Sequence, residues 1–122
     1  MRLNHTIVYC RDKQPSASFL SEILGCPPQR ALDRSRWVRV ANDVLLDFLD
    51  EGTVHPQHYA FLVDENEFDQ IHGRILARGI PYWADPGLRR PQQMNTNDGG
   101  RGLYWNAPDG HYLEIITRPY GG

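Results

Sequence analysis

Two histidines and one glutamate supply the side chains from which a metal site can be built. His5, His58 and Glu114 each lie in a strand-like segment, with apolar residues at the alternate positions that share their face. A carboxylate among apolar neighbours is costly unless it is paired or coordinated, and two imidazoles with one carboxylate suit divalent transition metals. Taken singly, each histidine has the alternative of a core or rim position, and the glutamate that of facing water.

An internal repeat places these residues at corresponding points of two half-chains. The strand that begins with His5 matches the strand that begins with His58, and the strand that carries Asp47 matches the strand that carries Glu114. Each half therefore opens with a histidine and closes with an acid. Pseudo-symmetry of this kind brings first and last strands together around one centre, so the repeat favours a joint metal site over separate structural roles.

Each half is predicted to follow the order β-α-β-β-β. Apolar residues at helical spacing predict a helix that begins after Asp12 and ends at Gly25. A second helix begins after Asp64, where Glu67 completes a capping box, and ends at Gly79. Strands are predicted at Asn4–Tyr9, Gln29–Leu32, Trp37–Val40, Val44–Leu49, His58–Val63, Ile80–Trp83, Leu103–Asn106 and Tyr112–Thr117.

The second half carries an insertion, because matching residues of the two halves lie further apart at the end of the repeat than at its beginning. We place the insertion at Ala84–Gly102, a polar segment with turn residues and no apolar periodicity. Long loops of this kind serve as lids or binding loops, with a solvated surface loop as the alternative. Its candidate substrate-binding side chains are Arg89, Arg90, Asn95, Asn97 and Arg101.

Length and composition limit the classes of protein to consider. A chain of 122 residues that is 40% hydrophobic predicts one domain, residues 1–122, with modules at about 1–52 and 55–120. A net charge of -2 offers no broad basic surface for nucleic acid or anionic lipid. The N-terminus has no signal-peptide core, so we expect a cytoplasmic protein without nucleic-acid or membrane partners. The other histidines, His55, His72 and His111, are expected at the surface or in turns.

Over nearly its whole length the chain resembles the vicinal oxygen chelate superfamily, which includes glyoxalases, bleomycin-resistance proteins and extradiol dioxygenases. The segments Leu3–Val8 and Ser16–Gly25 resemble the family's first strand and helix, and His58–Val63 its central strand. The most specific motif is Pro108-Asp-Gly110, a turn that precedes the strand carrying the carboxylate ligand. The resemblance implies an α+β fold, in which two βαβββ modules form a cupped mixed sheet around a metal.

The resemblance also implies roles for individual residues. It assigns His5, His58 and Glu114 as ligands of a divalent metal (Fe, Mn, Zn or Ni). In glyoxalase-like members a fourth ligand comes from the strand of Asp47. Aspartate is shorter than glutamate, which disfavours direct coordination. Asp47 is therefore a ligand, a general base or a hydrogen-bonded acid. With three protein ligands, open metal positions remain for a substrate oxygen or water, which permits catalysis.

Several chemistries remain open within this family: lyase, isomerase, thiol-transfer and oxygenase reactions. Tyr104 has the spacing from Glu114 that extradiol dioxygenases use for an active-site tyrosine. Asn95 occupies the position of their acid-base histidine and cannot exchange protons, which disfavours ring cleavage. Fosfomycin-modifying relatives also use two histidines and a glutamate, and the arginines of the insertion suit an anionic substrate, with a solvated surface as their alternative. The alternative is a bleomycin-resistance-type binder that sequesters a small molecule without turnover.

The short chain also predicts a homodimer. Relatives of this length generally pair modules across subunits, which implies that His5 faces His58 of a partner chain. This expectation follows from the resemblance and from the closed symmetry of most homo-oligomers.

Overall fold

The computed structural model describes residues 1–121. The chain divides into two compact units, Met1–His55 and a second that begins at Pro56. Each unit contains the strand and helix order βαβββ, which confirms the predicted α+β class and its two modules. No helix within residues 1–121 has the length and apolar character needed to cross a membrane.

The first unit is a four-stranded mixed sheet with one helix. Its strands are ordered β1-β4-β3-β2, with β1 parallel to β4 and the remaining pairs antiparallel. The helix packs against β1, β3 and β4. The elements are β1 His5–Cys10, α1 Lys13–Leu24, β2 Arg30–Leu32, β3 Ser35–Arg39 and β4 Leu45–Asp50.

The second unit repeats this topology. Its strands are ordered β5-β8-β7-β6, with β5 parallel to β8 and the remaining pairs antiparallel. The first and last strands of the unit form its parallel pair, as they do in the first unit. The elements are β5 His58–Leu62, α2 Glu65–Ala77, β6 Tyr82–Trp83, β7 Gly102–Asn106 and β8 Tyr112–Ile116.

The helix termini lie where their sequences predict, except that the Asp12 side chain makes no capping hydrogen bond at the start of α1. Gly25 ends α1 in the left-handed conformation with φ of 74°, which its missing Cβ permits. At the start of α2 the Asp64 carboxylate accepts the Glu67 amide at 2.7 Å, and Glu67 Oε1 accepts the Asp64 amide at 3.0 Å. The predicted capping box is therefore confirmed, and it satisfies two amides that the helix itself leaves without partners.

Strand periodicity separates a buried face from an open one in each sheet. In β1, Val8 and Cys10 are buried, whereas His5, Ile7 and Tyr9 are exposed. The second unit has its own apolar core, to which helix and strands both contribute. Its fully buried side chains include Phe68, Ile71, Ile75, Leu103, Trp105, Leu113 and Ile115. In each unit the candidate chemistry lies on residues that alternate with this core.

The predicted insertion is an ordered loop between β6 and β7. Isolated bridges pair Trp83 with Pro91 and Asn95 with Gly102, and a short 3-10 turn covers Asn97–Gly99. The loop ends at Arg101, whose guanidinium contacts carboxylates on α2 and lies 4.3 Å from the centre of the Phe68 ring. The insertion is thus fastened at one end to the helix of its own unit.

The sequence predicts His111 at the surface or in a turn. It directly follows the turn at residues 108–110, but it does not lie at the surface, since it is only 2% exposed. Its Nδ1 accepts the Gln57 amide at 3.0 Å, and its ring meets Tyr59 edge-on at 5.5 Å. The histidine packs beside the first residues of β5 because β8 is parallel to that strand. Sequence spacing across more than fifty residues does not show such a contact.

Truncation of Phe68 should destabilise the second unit strongly. Phe68 is fully buried and its ring faces the Arg101 guanidinium, so Phe68→Ala should lower the free energy of unfolding by about 3–5 kcal/mol. Leu76→Ala is the matched control on α2, because Leu76 is 52% exposed and should change stability by only about 0.5 kcal/mol. Urea denaturation of both variants measures the difference, and equal losses would contradict this assignment of the core.

Candidate metal centre

Strand register brings three of the predicted site residues together in the second unit. Glu114 on β8 lies opposite Ala60 on the parallel strand β5 and opposite Tyr104 on the antiparallel strand β7. His58 precedes Ala60 by two residues and therefore shares its face of the sheet. The cluster has Glu114 at its centre, on an inner strand, with His58 and Tyr104 on the two neighbouring strands.

The Glu114 carboxylate is buried, and polar side chains surround it. The side chain is 1% exposed, and its Oε1 lies 3.0 Å from Nε2 of His58. The Tyr120 hydroxyl donates to the same carboxylate, at 2.7 Å from Oε1 and 2.6 Å from Oε2. A buried carboxylate needs such donors or a cation, because an unpaired buried charge is strongly unfavourable.

The spacing of His58 and Glu114 also fits coordination of one metal ion. Ligand atoms about 2.0–2.2 Å from a metal and at right angles to each other are separated by about 3 Å. The observed Nε2 to Oε1 distance is 3.0 Å. His58 is half-exposed on its strand, so the buried carboxylate meets a histidine that solvent can reach. The donor set and its spacing therefore fit a divalent metal.

Two tyrosines extend this cluster. The hydroxyl groups of Tyr104 and Tyr120 lie 3.2 Å apart, and the Tyr104 and His58 rings lie 6.0 Å apart. Burial raises the pKa of Tyr104 well above its usual range, and hydrogen bonds to Tyr120 and Glu114 act in the same direction. Burial and the bond to Glu114 likewise raise the pKa of Tyr120. Both phenols are therefore protonated donors at neutral pH.

His5 and Asp47 lie in the first unit. His5 begins β1 with an exposed side chain, and its Nδ1 is 2.7 Å from Oδ1 of Asn4. This bond places the proton on Nδ1 and leaves the Nε2 lone pair for a ligand. Asp47 lies between β1 and β3, and its buried Oδ1 has no hydrogen-bond partner among residues 1–121. His5 Nε2 and Asp47 Oδ1 are thus each available to bind a further group.

Ligand candidates are divided between the two units. Within the 121 residues that the structure describes, no three His, Cys, Asp or Glu side chains gather closely enough to hold a metal. His58 and Glu114 are together, and His5 and Asp47 belong to the other unit.

The predicted substrate-binding residues of the insertion differ in environment. Arg89 and Arg90 are exposed, and their backbone amides donate to the Asp85 carboxylate. Asn95 is buried and donates to the Ala84 carbonyl at 2.8 Å. Arg101 pairs with carboxylates of α2, as described above, and Asn97 begins the exposed 3-10 turn. Arg89 and Arg90 thus point outward, whereas Asn95 and Arg101 hold the loop in place.

Tyr120 was not among the residues that the sequence singled out. It lies beyond the last strand, in Arg118-Pro-Tyr-Gly121, where no periodicity connects it to the sheet. Its only sequence signal is an aromatic hydroxyl shortly after the strand of a candidate ligand.

A model of one protein family matches most of the chain. The family is described as the glyoxalase/bleomycin resistance protein/dioxygenase superfamily, and the match covers residues 2–115. Among curated proteins, glutathione transferase FosA of Serratia marcescens is 27% identical over 120 residues. That alignment covers 93% of this chain and 78% of the relative.

Solved structures also resemble this chain. A protein named oxidase ChaP-H1 is 58% identical, with a TM-score of 0.97, and the match covers 100% of this chain and 99% of the relative. A fosfomycin resistance protein, FosX, from Listeria monocytogenes, complexed with Mn(II) and dihydroxypropylphosphonic acid, is 17% identical with a TM-score of 0.70. That match covers 97% of this chain and 93% of FosX, and at this identity it shows the fold alone.

The tyrosine cluster should make stability depend on alkaline pH. The pKa of Tyr104 is raised in the folded protein, whereas an unfolded tyrosine ionises near pH 10. Its contribution is therefore present below about pH 10 and is lost as the pH rises further, because only the unfolded chain releases the proton. In Tyr104→Phe the free energy of unfolding should fall less steeply between about pH 9 and 11 than in the wild type. Parallel pH profiles in urea denaturation would contradict this.

Proposed function

The chain belongs to the glyoxalase/bleomycin resistance protein/dioxygenase superfamily, and from this premise we propose that it is a metal-dependent oxidase of a small organic molecule. The observation that carries the proposal is 58% identity along the whole chain to a protein named as an oxidase. The proposed substrate binds a divalent metal through adjacent oxygen atoms, and dioxygen is the proposed oxidant. This narrows the four reaction classes left open by the sequence to the oxygen-dependent one.

The proposed metal ligands are His5, His58 and Glu114. The 3.0 Å spacing of His58 and Glu114, and a His5 tautomer with an available Nε2, support this set. Among Fe, Mn, Zn and Ni, the oxidase proposal favours a redox-active ion, Fe or Mn. The Mn(II) in the FosX relative agrees with a divalent ion in this fold. When bound, such a metal would polarise substrate oxygens and accept or donate single electrons.

The other site residues have distinct proposed roles. Glu114 supplies a buried negative charge, which offsets the positive charge of a metal more strongly than a solvated carboxylate would. Tyr104 is proposed as a catalytic hydrogen-bond donor to the substrate, because its raised pKa keeps its proton in place at neutral pH. Asp47 is proposed as a general base, and its unpartnered buried oxygen is the group that would accept a substrate proton.

We further propose a homodimer in which each metal site draws on both chains. His5 lies on an exposed strand face together with the apolar residues Ile7 and Tyr9, which are 40% and 45% exposed. An exposed apolar face that carries a ligand candidate suits a second copy of the chain better than solvent does. In this arrangement His5 of one chain completes the site of His58 and Glu114 in the other. A cytoplasmic location is part of the same proposal.

The insertion is the proposed substrate-binding lid. Arg89 and Arg90 have exposed guanidinium groups that suit an anionic or oxygen-rich substrate, and Asn97 lies in the exposed turn nearby in the chain. Asn95 and Arg101 contribute by holding the loop, through Ala84 and through α2. Lids of this kind exclude water and orient the substrate.

A second candidate function is thiol transfer to an anionic epoxide. It is favoured by 27% identity to a glutathione transferase over 93% of this chain, but the oxidase match has 58% identity and covers 100% of this chain. Sequestration of a small molecule without turnover is the non-enzymatic alternative. The three functions differ in what they consume, so one set of assays separates them.

Protein reconstituted with Fe²⁺ should consume dioxygen when a suitable substrate is present. The panel consists of catechols, α-keto thiol adducts and epoxide antibiotics with and without glutathione, and the measurements are oxygen uptake and product mass. Oxidation of a panel compound with oxygen uptake, absent from metal-free protein, is the expected result. Thiol addition without oxygen uptake would favour the transferase, and stoichiometric binding without any product would favour sequestration.

Removal of a proposed ligand should strip the metal. His5→Ala, His58→Ala and Glu114→Ala each remove one of three protein ligands, so each variant purified without chelators should retain far less metal than the wild type. Metal content by plasma mass spectrometry, after exposure to Mn, Fe, Zn and Ni, gives the answer. His55→Ala is the control, because His55 belongs to no predicted ligand set. A wild type that binds none of these ions better than its variants would refute the metal site.

Mixing two inactive variants should restore metal binding if the site is shared. A dimer of one His5→Ala chain and one His58→Ala chain contains one site with both histidines intact and one with neither. After the variants are unfolded and refolded together, recovered metal is expected, while each variant refolded alone should bind little. No recovery, although mixed dimers form, would show that His5 and His58 act within one chain.

A further inference from the structure

The structure assigns Tyr120 a positioning role: its hydroxyl donates to the Glu114 carboxylate and would hold Oε2, so that Oε1, beside His58, is left for a metal. The inference rests on the proposed function, because it concerns the proposed ligand Glu114. It adds a residue that neither the repeat nor the family motifs single out. Tyr120 acts through the carboxylate and need not contact the metal or substrate.

The two carboxylate oxygens have different surroundings. Oε1 lies 3.0 Å from His58 Nε2 and 2.7 Å from the Tyr120 hydroxyl, whereas Oε2 lies 2.6 Å from that hydroxyl. A phenol has one proton and donates it fully to one oxygen at a time. His58 Nε2 and Glu114 Oε1 would hold a metal in place of the proton they share, that proton would pass to solvent, and the phenol would then donate to Oε2. Tyr120 therefore fits a carboxylate that binds the metal through one oxygen.

The chemistry of the donor suits this role. A tyrosine hydroxyl is neutral, so it orients the carboxylate and leaves the negative charge that attracts a metal. An arginine or lysine in its place would cancel that charge. The Tyr120 side chain reaches the carboxylate from the surface, since the residue is 61% exposed while Glu114 is 1% exposed. Hydrogen bonds of this kind to a ligating carboxylate fix its orientation and are worth about 10–100-fold in metal affinity.

The segment that carries Tyr120 is held by the end of the insertion. Thr117 and Arg101 exchange two hydrogen bonds, one between backbone groups at 2.9 Å and one from the Arg101 amide to Thr117 Oγ1 at 2.8 Å. The Gly121 amide donates to Asp98 Oδ1 at 3.2 Å, on the other side of Tyr120. The tyrosine is thus fixed from both sides in the chain, and both partners come from the insertion.

Gly100 is required for this close approach. A Cβ at Gly100 would lie 2.6 Å from Thr117 Oγ1 and 3.0 Å from Cγ of Arg118. Both distances are shorter than normal van der Waals contact, so an alanine at this position would press on the Thr117 and Arg118 side chains, and we expect it to displace the segment that follows β8. Such a displacement moves the Tyr120 hydroxyl while leaving the chemistry of every site residue unchanged.

The experiment compares each of three variants with the wild type, and all four proteins are studied in their dimeric form. Tyr120→Phe removes the hydroxyl, and Gly100→Ala displaces it. Tyr59→Phe is the matched control, because Tyr59 also lies next to a candidate ligand in sequence but its ring packs on His111, on the other face of β5. Mn²⁺ dissociation constants come from competition with a chromophoric chelator, and electron paramagnetic resonance reports the symmetry of the bound ion. Thermal unfolding of the metal-free proteins measures stability separately.

Tyr120→Phe should raise the Mn²⁺ dissociation constant by about tenfold or more, with a changed resonance line shape. Gly100→Ala should change affinity in the same direction, and Tyr59→Phe should match the wild type. A Tyr120→Phe affinity equal to the control, even with lowered metal-free stability, would overturn the positioning role and leave the proposed function standing. An increased affinity would also overturn it, because Tyr120 would then compete with the metal. A wild type that binds no metal would overturn both.

Discussion

The buried carboxylate of Glu114 is the constraint on which the second unit depends. A buried negative charge in the middle of a sheet needs hydrogen-bond donors or a cation beside it. Without them, the free-energy cost of desolvating the carboxylate would be larger than the surrounding contacts could offset. The parallel pairing of β5 with β8 brings His58 to it, and the segment after β8 brings Tyr120. The hydrogen-bond donors around Glu114 are thus products of topology rather than of neighbouring sequence.

The duplicated module explains why the chemistry lies where it does. In each unit the first and last strands are parallel neighbours, so the histidine that opens a unit lies on the strand next to its acid. In the second unit this yields a hydrogen-bonded pair, His58 and Glu114. In the first unit the shorter acid, Asp47, has an oxygen without a hydrogen-bond partner among residues 1–121, and His5 bonds instead to Asn4. The two acids differ by one methylene group in length and lie in different surroundings.

The insertion distinguishes the second unit from the first. It has no counterpart in the first unit, and its end contacts both α2, through Arg101, and the chain end, through Asp98. Through these contacts the loop is connected to the segment that carries Tyr120, which hydrogen-bonds to the proposed metal ligand Glu114. Thr117 and Gly121 lie on either side of Tyr120 in the chain, and both contact the loop. Movement of the loop would be transmitted through these few contacts to the tyrosine that hydrogen-bonds to the Glu114 carboxylate.

Local sequence by itself determined the elements of this protein. Period-two and helical apolar patterns, the Asp64 capping box and Gly25 predicted the strands and helices within one to two residues, because these features depend on neighbours in the chain. The repeat, with the family resemblance, singled out His58 and Glu114 before the structure showed them 3.0 Å apart. His5 and Asp47 lie in the other unit, and all four residues remain predictions as site residues.

Tertiary structure alone decided which side chains surround those elements. The contact of Tyr120 with Glu114, the burial of His111 and the inward position of Asn95 have no signature in periodicity or spacing. Each depends on where a loop or chain end crosses a sheet whose strands come from distant parts of the sequence. A hydrogen bond between such segments forms only where the packed core brings them close together. The periodicity of the sequence shows only which face of a strand or helix each residue occupies.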